Sequence, residues 1–237
     1  MGVDERVLGR NRLLRTLPGP LTTDVALLAS LERFSARDVV YEQGERIDRV
    51  VFPLTGVFSL VSMMEDGRGV EVATVGNEGF VGLPVFMQAT LTGAHRAFAQ
   101  VPGEALVLEP AAFLQLVNAG GPFQTALQRY AQAMITAIAQ GSACNRLHKI
   151  EQRCARWLLQ THDRVDSDEF ALTQEFLAQM LGVGRHAVNE TAQSLQEAGL
   201  IRYRRGRITV LDRAALEATA CECYAVVRAE FERLLPW

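Results

Sequence analysis

The sequence predicts an α+β chain in three parts: an N-terminal antiparallel β-roll, a long dimerisation helix and a C-terminal winged helix-turn-helix domain. Three observations carry this. Between Asp38 and Leu108 short β-rich runs alternate with glycine turns. From Pro122 to about His148 a helical pattern runs with almost no charge. From Leu172 to Asp212 two short helical patterns, broken by Gly182, are followed by two alternating strands. The expected boundaries are 1–121 for the roll, as an effector domain, 122–149 for the long helix and 150–237 for the winged domain.

The chain has 237 residues, 49% of them hydrophobic, enough for two cores. Its N-terminus, MGVDERVLGRNRLLR, lacks the apolar stretch of a signal peptide, and no apolar run approaches the roughly 20 residues of a membrane span. A cytoplasmic protein without membrane contact is therefore expected. The formal net charge is -3, so any affinity for a polyanion must come from local charge. In the roll the runs VVY, RVVF, GVFSLVSM, VEVATV, HRAFAQV and EALVLE are punctuated by Gly44, Gly56, Asp66-Gly67, Gly76, Gly79, Gly82, Gly93 and Pro102-Gly103. A helical pattern resumes from Pro110 to Val117.

After Gly120-Gly121, Pro122 suits the first turn of the long helix. Arg129 is its only charged residue before Arg146. Phe123, Leu127, Tyr130, Met134, Ala137, Gly141 and Cys144 recur at four- and three-residue steps, with Ile135, Ile138 and Leu147 beside them. The helix is expected to meet its own β domain on one side and the same helix of a second copy on the other, with this stripe as the two-fold dimer interface; a wholly intramolecular core helix is the alternative. A shorter amphipathic helix, Glu151 to His162, leads through a polar stretch, Asp163 to Glu169, into the last part.

There Thr173 is an N-cap, Glu175 sits in the first turn, and Phe176, Leu177, Met180 and Leu181 share one face. Ala178 allows a close crossing, Gly182 can take a positive φ and Val183 plugs the angle. The second helix starts near Gly184. Its Val188, Ala192 and Leu195 face inward, leaving Arg185, His186, Asn189 and Glu190 outward, where a recognition helix meets base edges. In the wing, Ile201 and Tyr203 alternate with Arg202 and Arg204, Ile208 and Val210 with Arg207 and Thr209, and Arg205-Gly206 makes the turn. Between Leu172 and Arg213 six arginines face four acids. Double-stranded DNA is thus the expected partner, contacted by Thr173, Gly184, Arg185, His186, Asn189, Glu190, Arg204, Arg205 and Arg207. The competing reading is a small-molecule or redox-sensing binding module whose winged helix makes protein contacts. Such an interface would enrich aromatic residues where arginines stand. No Ser/His/Asp order, HExxH or P-loop appears, so an enzyme is not expected.

The four cysteines, Cys144, Cys154, Cys221 and Cys223, form no CxxC. Read as helical, Cys221 and Cys223 point to nearly opposite sides and cannot share one ion, so buried or idle thiols and no metal site are expected.

Taken together, roll, long helix and winged domain resemble the Crp/Fnr family of bacterial transcription regulators over nearly the whole chain. Tyr41-Glu42-Gln43-Gly44-Glu45 resembles the family's entry into the cyclic-nucleotide-binding fold, and Gly56 and Gly79 to Gly82 fall where later turns belong. Gly182-Val183-Gly184-Arg185 with Val188 resembles its recognition-helix start, and Ala198-Gly199-Leu200-Ile201 its passage into the wing. A symmetric homodimer presents two recognition helices, so an inverted-repeat operator is expected; the resemblance implies RNA polymerase as a partner and an effector pocket at Gly82, Leu83, Arg96 and Ala97. In cAMP-binding members a Glu meets the ribose and Arg followed by Ser or Thr meets the phosphate. Here Leu83 and Ala97 replace the carboxylate and the hydroxyl, so cAMP is not expected and the effector is left open. Oxygen-sensing members carry a cysteine cluster near the N-terminus. No cysteine precedes Cys144, so no iron-sulfur cluster is expected. For haem, the spacing selects neither His95 nor His148. The family's Arg, Glu and Arg of the recognition helix become Arg185, His186 and Glu190, which implies a different operator.

Overall fold

The computed structural model describes residues 2–88 and 92–235. Three helices open the chain: α1 (Glu5–Leu8), α2 (Arg12–Arg15) and α3 (Gly19–Leu28). They lie outside the elements that the sequence predicts, which begin at Asp38. Asn11 explains why they fold here: it is fully buried, its Oδ1 caps α2 by accepting from Leu14 N at 3.1 Å, and its Nδ2 donates to the carbonyls of Pro53 (2.8 Å) and Gly79 (2.9 Å). One side chain thereby caps a helix and ties it to the roll.

The roll is antiparallel. Strands β1 (Ser30–Phe34), β2 (Val39–Tyr41), β3 (Val50–Pro53), β4 (Val57–Met63) and β5 (Gly69–Val75) are followed by the short helix α4 (Leu83–Met87), then β6 (Arg96–Val101) and β7 (Gly103–Leu108). They pair as β1-β7-β3 and β2-β6-β4-β5, two sheets whose inner faces form the core. Helix α5 (Pro110–Asn118) leads into α6 (Gly121–Leu147). Phe80 lies 5.0 Å from Tyr130, 5.4 Å from Phe52 and 5.7 Å from Phe113 between ring centroids, so α6 is sealed onto the roll by aromatic packing. Gly79 is obligatory there, since a Cβ would fall 1.8 Å from Tyr130 Cε2.

The winged domain contains α7 (Ile150–His162), β8 (Glu169–Ala171), α8 (Gln174–Leu181), α9 (Arg185–Glu197), β9 (Ile201–Arg204), β10 (Arg207–Val210), α10 (Arg213–Thr219) and α11 (Cys223–Leu234). Its sheet runs β8-β10-β9. Strand β8 falls at the end of the stretch read as polar linker; Phe170, its inward residue, pairs with Ile208.

The long helix requires a correction. Phe123, Leu127, Tyr130 and Met134, expected at a dimer interface, are buried in the chain's own core, and Cys144 is buried among other cysteines. Ala137 and Gly141 are partly buried. The reason is α11, which returns along α6: Phe231 packs 6.2 Å from Tyr130, and Thr136 Oγ1 donates to Glu230 Oε1 at 3.4 Å. The outward stripe is Thr125, Gln128, Gln132, Ile135, Ala139 and Ser142.

Candidate nucleic-acid interface

Thr173 Oγ1 accepts from Phe176 N at 3.1 Å and opens α8 as an N-cap. Gly182 ends the helix at φ 64°, where a side chain would be strained, and the chain re-enters α9 through Gly184 in extended conformation. Val188, Ala192 and Leu195 are buried. Arg185, His186, Asn189 and Glu190 are therefore exposed on the first turns of α9, as their spacing predicts. They are not idle. Arg185 Nη2 donates to Glu175 Oε1, Asn189 Oδ1 accepts from Gln174 Nε2 at 2.9 Å, and His186 Nε2 lies 3.3 Å from Glu190 Oε1. These exposed pairs hold little energy and can be exchanged for phosphate or base contacts.

The wing turn forms at Arg205 (φ 51°) and Gly206 (φ 73°), the two positive φ values that a two-residue hairpin of this twist needs. Arg204 and Arg205 are exposed and make no side-chain ion pair among the described residues. Arg207 differs from expectation: β8 brings Glu169 against it, with Nε donating to Oε1 at 2.5 Å. The wing is therefore less free of acid than its own sequence suggests; Arg202, which donates to Thr209 Oγ1, joins Arg204 and Arg205 in making no ion pair among the described residues. Ile208 and Val210 are buried, and Tyr203 donates its hydroxyl to Leu172 O at 3.0 Å, which fixes the wing to the start of α8.

The winged domain packs on the roll. Val61 and Phe98, from β4 and β6, join its core, and Phe98 meets Phe176 edge-on at 5.9 Å. Below α7, Arg164 enters the roll and donates to Glu78 from both Nε (3.0 Å) and Nη2 (2.8 Å).

The four effector positions have different neighbours. Gly82 lies against Val50 of the first sheet, and Leu83 begins α4. Ala97 is fully buried in β6 opposite Leu60 and Tyr41. Arg96 stacks over Phe98 at 5.4 Å, sits 3.1 Å from Glu42 Oε2, and lines a groove with Arg37, Glu175 and Gln179. A hydrophobic strand position and a surface groove thus take the places that the resemblance gave to one pocket.

A cavity missed by the sequence reading lies where β5, α6, α7 and α11 meet, lined among others by Glu71, Ile138, Asn145, Arg156 and Arg164. Arg156 Nε is buried there without a hydrogen-bond partner among the described residues. Glu71 faces it from a strand whose alternation gave no warning of a functional carboxylate. Burial pushes Glu71 up to about 7, against the charges of Arg156 and Arg164 and the hydrogen bonds that Ser59 and Trp157 can give the ionised form. The geometry agrees. Ser59 Oγ is 2.7 Å from both Glu71 Oε2 and Gln100 Oε1 but has one proton. Both contacts form when a protonated Glu71 donates to Ser59. A carboxyl whose folded pKa is raised adds stability that is complete below its unfolded value and is lost as pH rises through about 7. Glu71→Gln is therefore expected to raise the melting temperature above wild type at about pH 8, and to lose that advantage at about pH 4. Equal melting curves at the higher pH would contradict the raised Glu71 pKa.

The cysteines call for a second correction. Cys221 precedes α11 and only Cys223 is helical, so the helical geometry that separated them does not apply. Cys144, His148, Cys221 and Cys223 converge, with one ligand atom of each within 4.8 Å of all the others. Cys154 stays apart, buried in the winged domain.

A β-roll joined by a long helix to an exposed recognition helix and an arginine-tipped wing defines a winged-helix transcription regulator with a cyclic-nucleotide-binding-type domain. Family models agree on both halves: residues 31–119 match the cyclic nucleotide-binding domain and residues 152–219 the Crp-like helix-turn-helix domain. The chain belongs to the Crp/Fnr family of transcription regulators. No curated protein sequence matches it significantly. Among solved structures it is similar to a CRP-family transcriptional regulator from Thermus thermophilus, at 23% identity and TM-score 0.66, covering 80% of this chain and 96% of that one. It is also similar to a putative Crp/Fnr regulator from Eubacterium rectale, at 15% identity and TM-score 0.67, covering 87% and 96%. A third is the c-di-GMP responsive global regulator CLP of Xanthomonas campestris, at 16% identity and TM-score 0.64, covering 82% and 99%. These identities speak for a shared fold. Among the described residues no helix is long and apolar enough to cross a membrane.

Proposed function

We propose that the chain is a cytoplasmic, dimeric, sequence-specific DNA-binding regulator of transcription that receives a signal through its roll. The observation that carries this is the exposure of Arg185, His186, Asn189 and Glu190 on the first turns of α9 beside the free guanidinium groups of Arg204 and Arg205. On this reading Arg185 leaves Glu175 to read guanine bidentately, and Glu190 accepts from cytosine N4. Thr173, Gly184, Arg205 and Arg204 serve the phosphates, and Arg207 joins them only by leaving Glu169. Dimerisation uses the outward stripe of α6 around Ile135. RNA polymerase is the further partner that membership of the family suggests. The signal enters at the cavity holding Glu71 and Arg156, because a buried guanidinium nitrogen without a partner favours an acceptor-bearing ligand.

A symmetric dimer places two recognition helices about one helical turn, roughly 34 Å, apart, so the operator is an inverted repeat. Arg185→Ala is expected to cost about 1–3 kcal/mol at the best site and relax preference at one symmetric position. Arg205→Ala should weaken every sequence alike and flatten the salt dependence. Binding to a randomised operator library at two salt concentrations measures both. An Arg185→Ala variant that keeps its base preference at every position would remove the direct-readout assignment.

A further inference from the structure

Two segments distant in sequence, 144–148 and 221–223, meet at the end of α6. Cys144 lies in its last turn, His148 is its C-cap, Cys221 closes the loop after α10 and Cys223 begins α11. Cys144 and His148 are four residues apart, one turn up the same helix face. Cys144 Sγ is 3.5 Å from Cys221 Sγ, and Cys223 Sγ is 3.5 Å from His148 Nδ1. The three thiols form a cluster of their own, apart from both main cores, and all are buried.

We propose that Cys144, His148, Cys221 and Cys223 form a tetrahedral site for one thiophilic divalent cation, which we take to be zinc. Distances decide between the possible occupants. Metal–sulfur bonds of about 2.3 Å and metal–nitrogen bonds of about 2.0 Å put the ligands of a tetrahedron roughly 3.5–3.8 Å apart, the separation of the two close pairs. An iron-sulfur cube, whose ligands sit on four separate irons, needs a wider cage than one spanning 4.8 Å. A disulfide would use two of the four groups and leave the imidazole and the third thiol without a role. Three thiolates and a neutral imidazole are a soft donor set, which favours zinc over magnesium or calcium.

The surroundings suit the same occupant. His148 Nε2 lies 3.3 Å from Glu222 Oε1, leaving Nδ1 turned to the cysteines, the carboxylate-imidazole-metal order that fixes the tautomer. Gln140 Nε2 donates to Cys223 Sγ at 3.1 Å. Three thiolates with a divalent ion leave one negative charge. Arg153, buried on α7 and donating to Asn145 Oδ1 at 3.2 Å, offsets it from the neighbouring helix. Binding releases the thiol protons to solvent. The ion then ties the foot of α6 to the end of the winged domain, a staple that acts whether or not DNA is the partner.

The full chain, purified anaerobically with reductant and stripped by a chelator, is titrated with Co(II) and then Zn(II). About one Co(II) per chain is expected, with the thiolate charge-transfer and ligand-field bands of a tetrahedral site, displaced by one equivalent of Zn(II). Cys221→Ser and Cys223→Ser should lose the bands, and circular dichroism reports whether they are folded. Glu222→Gln, at an exposed carboxylate, should bind about 10–100-fold more weakly with the same spectrum. The proposal fails if the wild-type chain takes up neither ion beyond the level of a Cys144→Ser/Cys221→Ser double variant. It also fails if the protein as first purified carries iron and sulfide, or if it refuses the ions because Cys144 and Cys221 are joined in a disulfide that persists under reductant.

Discussion

Glu78→Ala is expected to lower the unfolding free energy by about 3–5 kcal/mol, because it leaves the Arg164 guanidinium buried without its counter-charge. Arg164 is 11% exposed at its side chain and Glu78 8%. Besides Glu78, Arg164 donates from Nη1 to Thr74 Oγ1 (2.7 Å) and Gln160 O (3.0 Å), and Gly76 N donates to Glu78 Oε1 at 3.1 Å. The pair thus joins the roll to the segment that follows α7, with its polar atoms satisfied on both sides. Burial by itself would push Glu78 up, but the charge and hydrogen bonds of Arg164 reverse this and hold it below the usual carboxylate range. A carboxyl lowered in the folded state adds stability that is present above its unfolded value, here 4.5, and is lost as pH falls through the folded one. Acid should therefore weaken the wild type more than the variant. Urea unfolding at neutral and acid pH measures both effects; a neutral-pH loss under about 1 kcal/mol would reduce the contact to an ordinary surface pair.

Met134→Glu and Ile135→Glu, adjacent on α6, are expected to fail in different ways. Met134 is 2% exposed within a single chain, so a carboxylate there is stranded in the core and should cost several kcal/mol of fold stability. Ile135 is 60% exposed on the outward stripe. Ile135→Glu should leave the monomer's melting curve close to wild type while shifting sedimentation towards the monomer and weakening operator binding. A folded Ile135→Glu chain that sediments as the wild type does would exclude this stripe as the dimer contact.

These variants also show where sequence reading succeeds and stops. The recognition helix and wing were legible because their information is local: Thr173 caps three residues on, Gly182 and Gly206 turn the chain where they stand, and alternation places Ile208 and Val210 inward. The face of α6 was not. A helix with so little charge offers apolar residues on several sides, and periodicity does not say whether the neighbour is a second copy or, as here, α11 from the far end of the same chain. Glu71 is hidden for a related reason. An isolated acid in a strand reads as solvent-facing until a tryptophan 86 residues away supplies its partner. For the cysteines, since α11 begins only at Cys223, the obstacle is one local assumption, that residues 221 to 223 are helical. Removing it is enough to bring the thiols together, although His148, 73 residues before Cys221, could be selected only by the fold.

Trp157 links two of these features. Its indole is 3% exposed, and Nε1 donates to Glu71 Oε1 at 2.6 Å across the junction between α7 and β5. The only other tryptophan is the last residue of the chain, Trp237. Trp157 therefore offers a built-in optical probe of the junction: its emission is expected to change when water reaches the indole or a charge develops on Glu71. Replacing Trp237 with phenylalanine would isolate that signal, so that ligand entry, proton release and separation of the two domains could be followed in real time in the unlabelled protein.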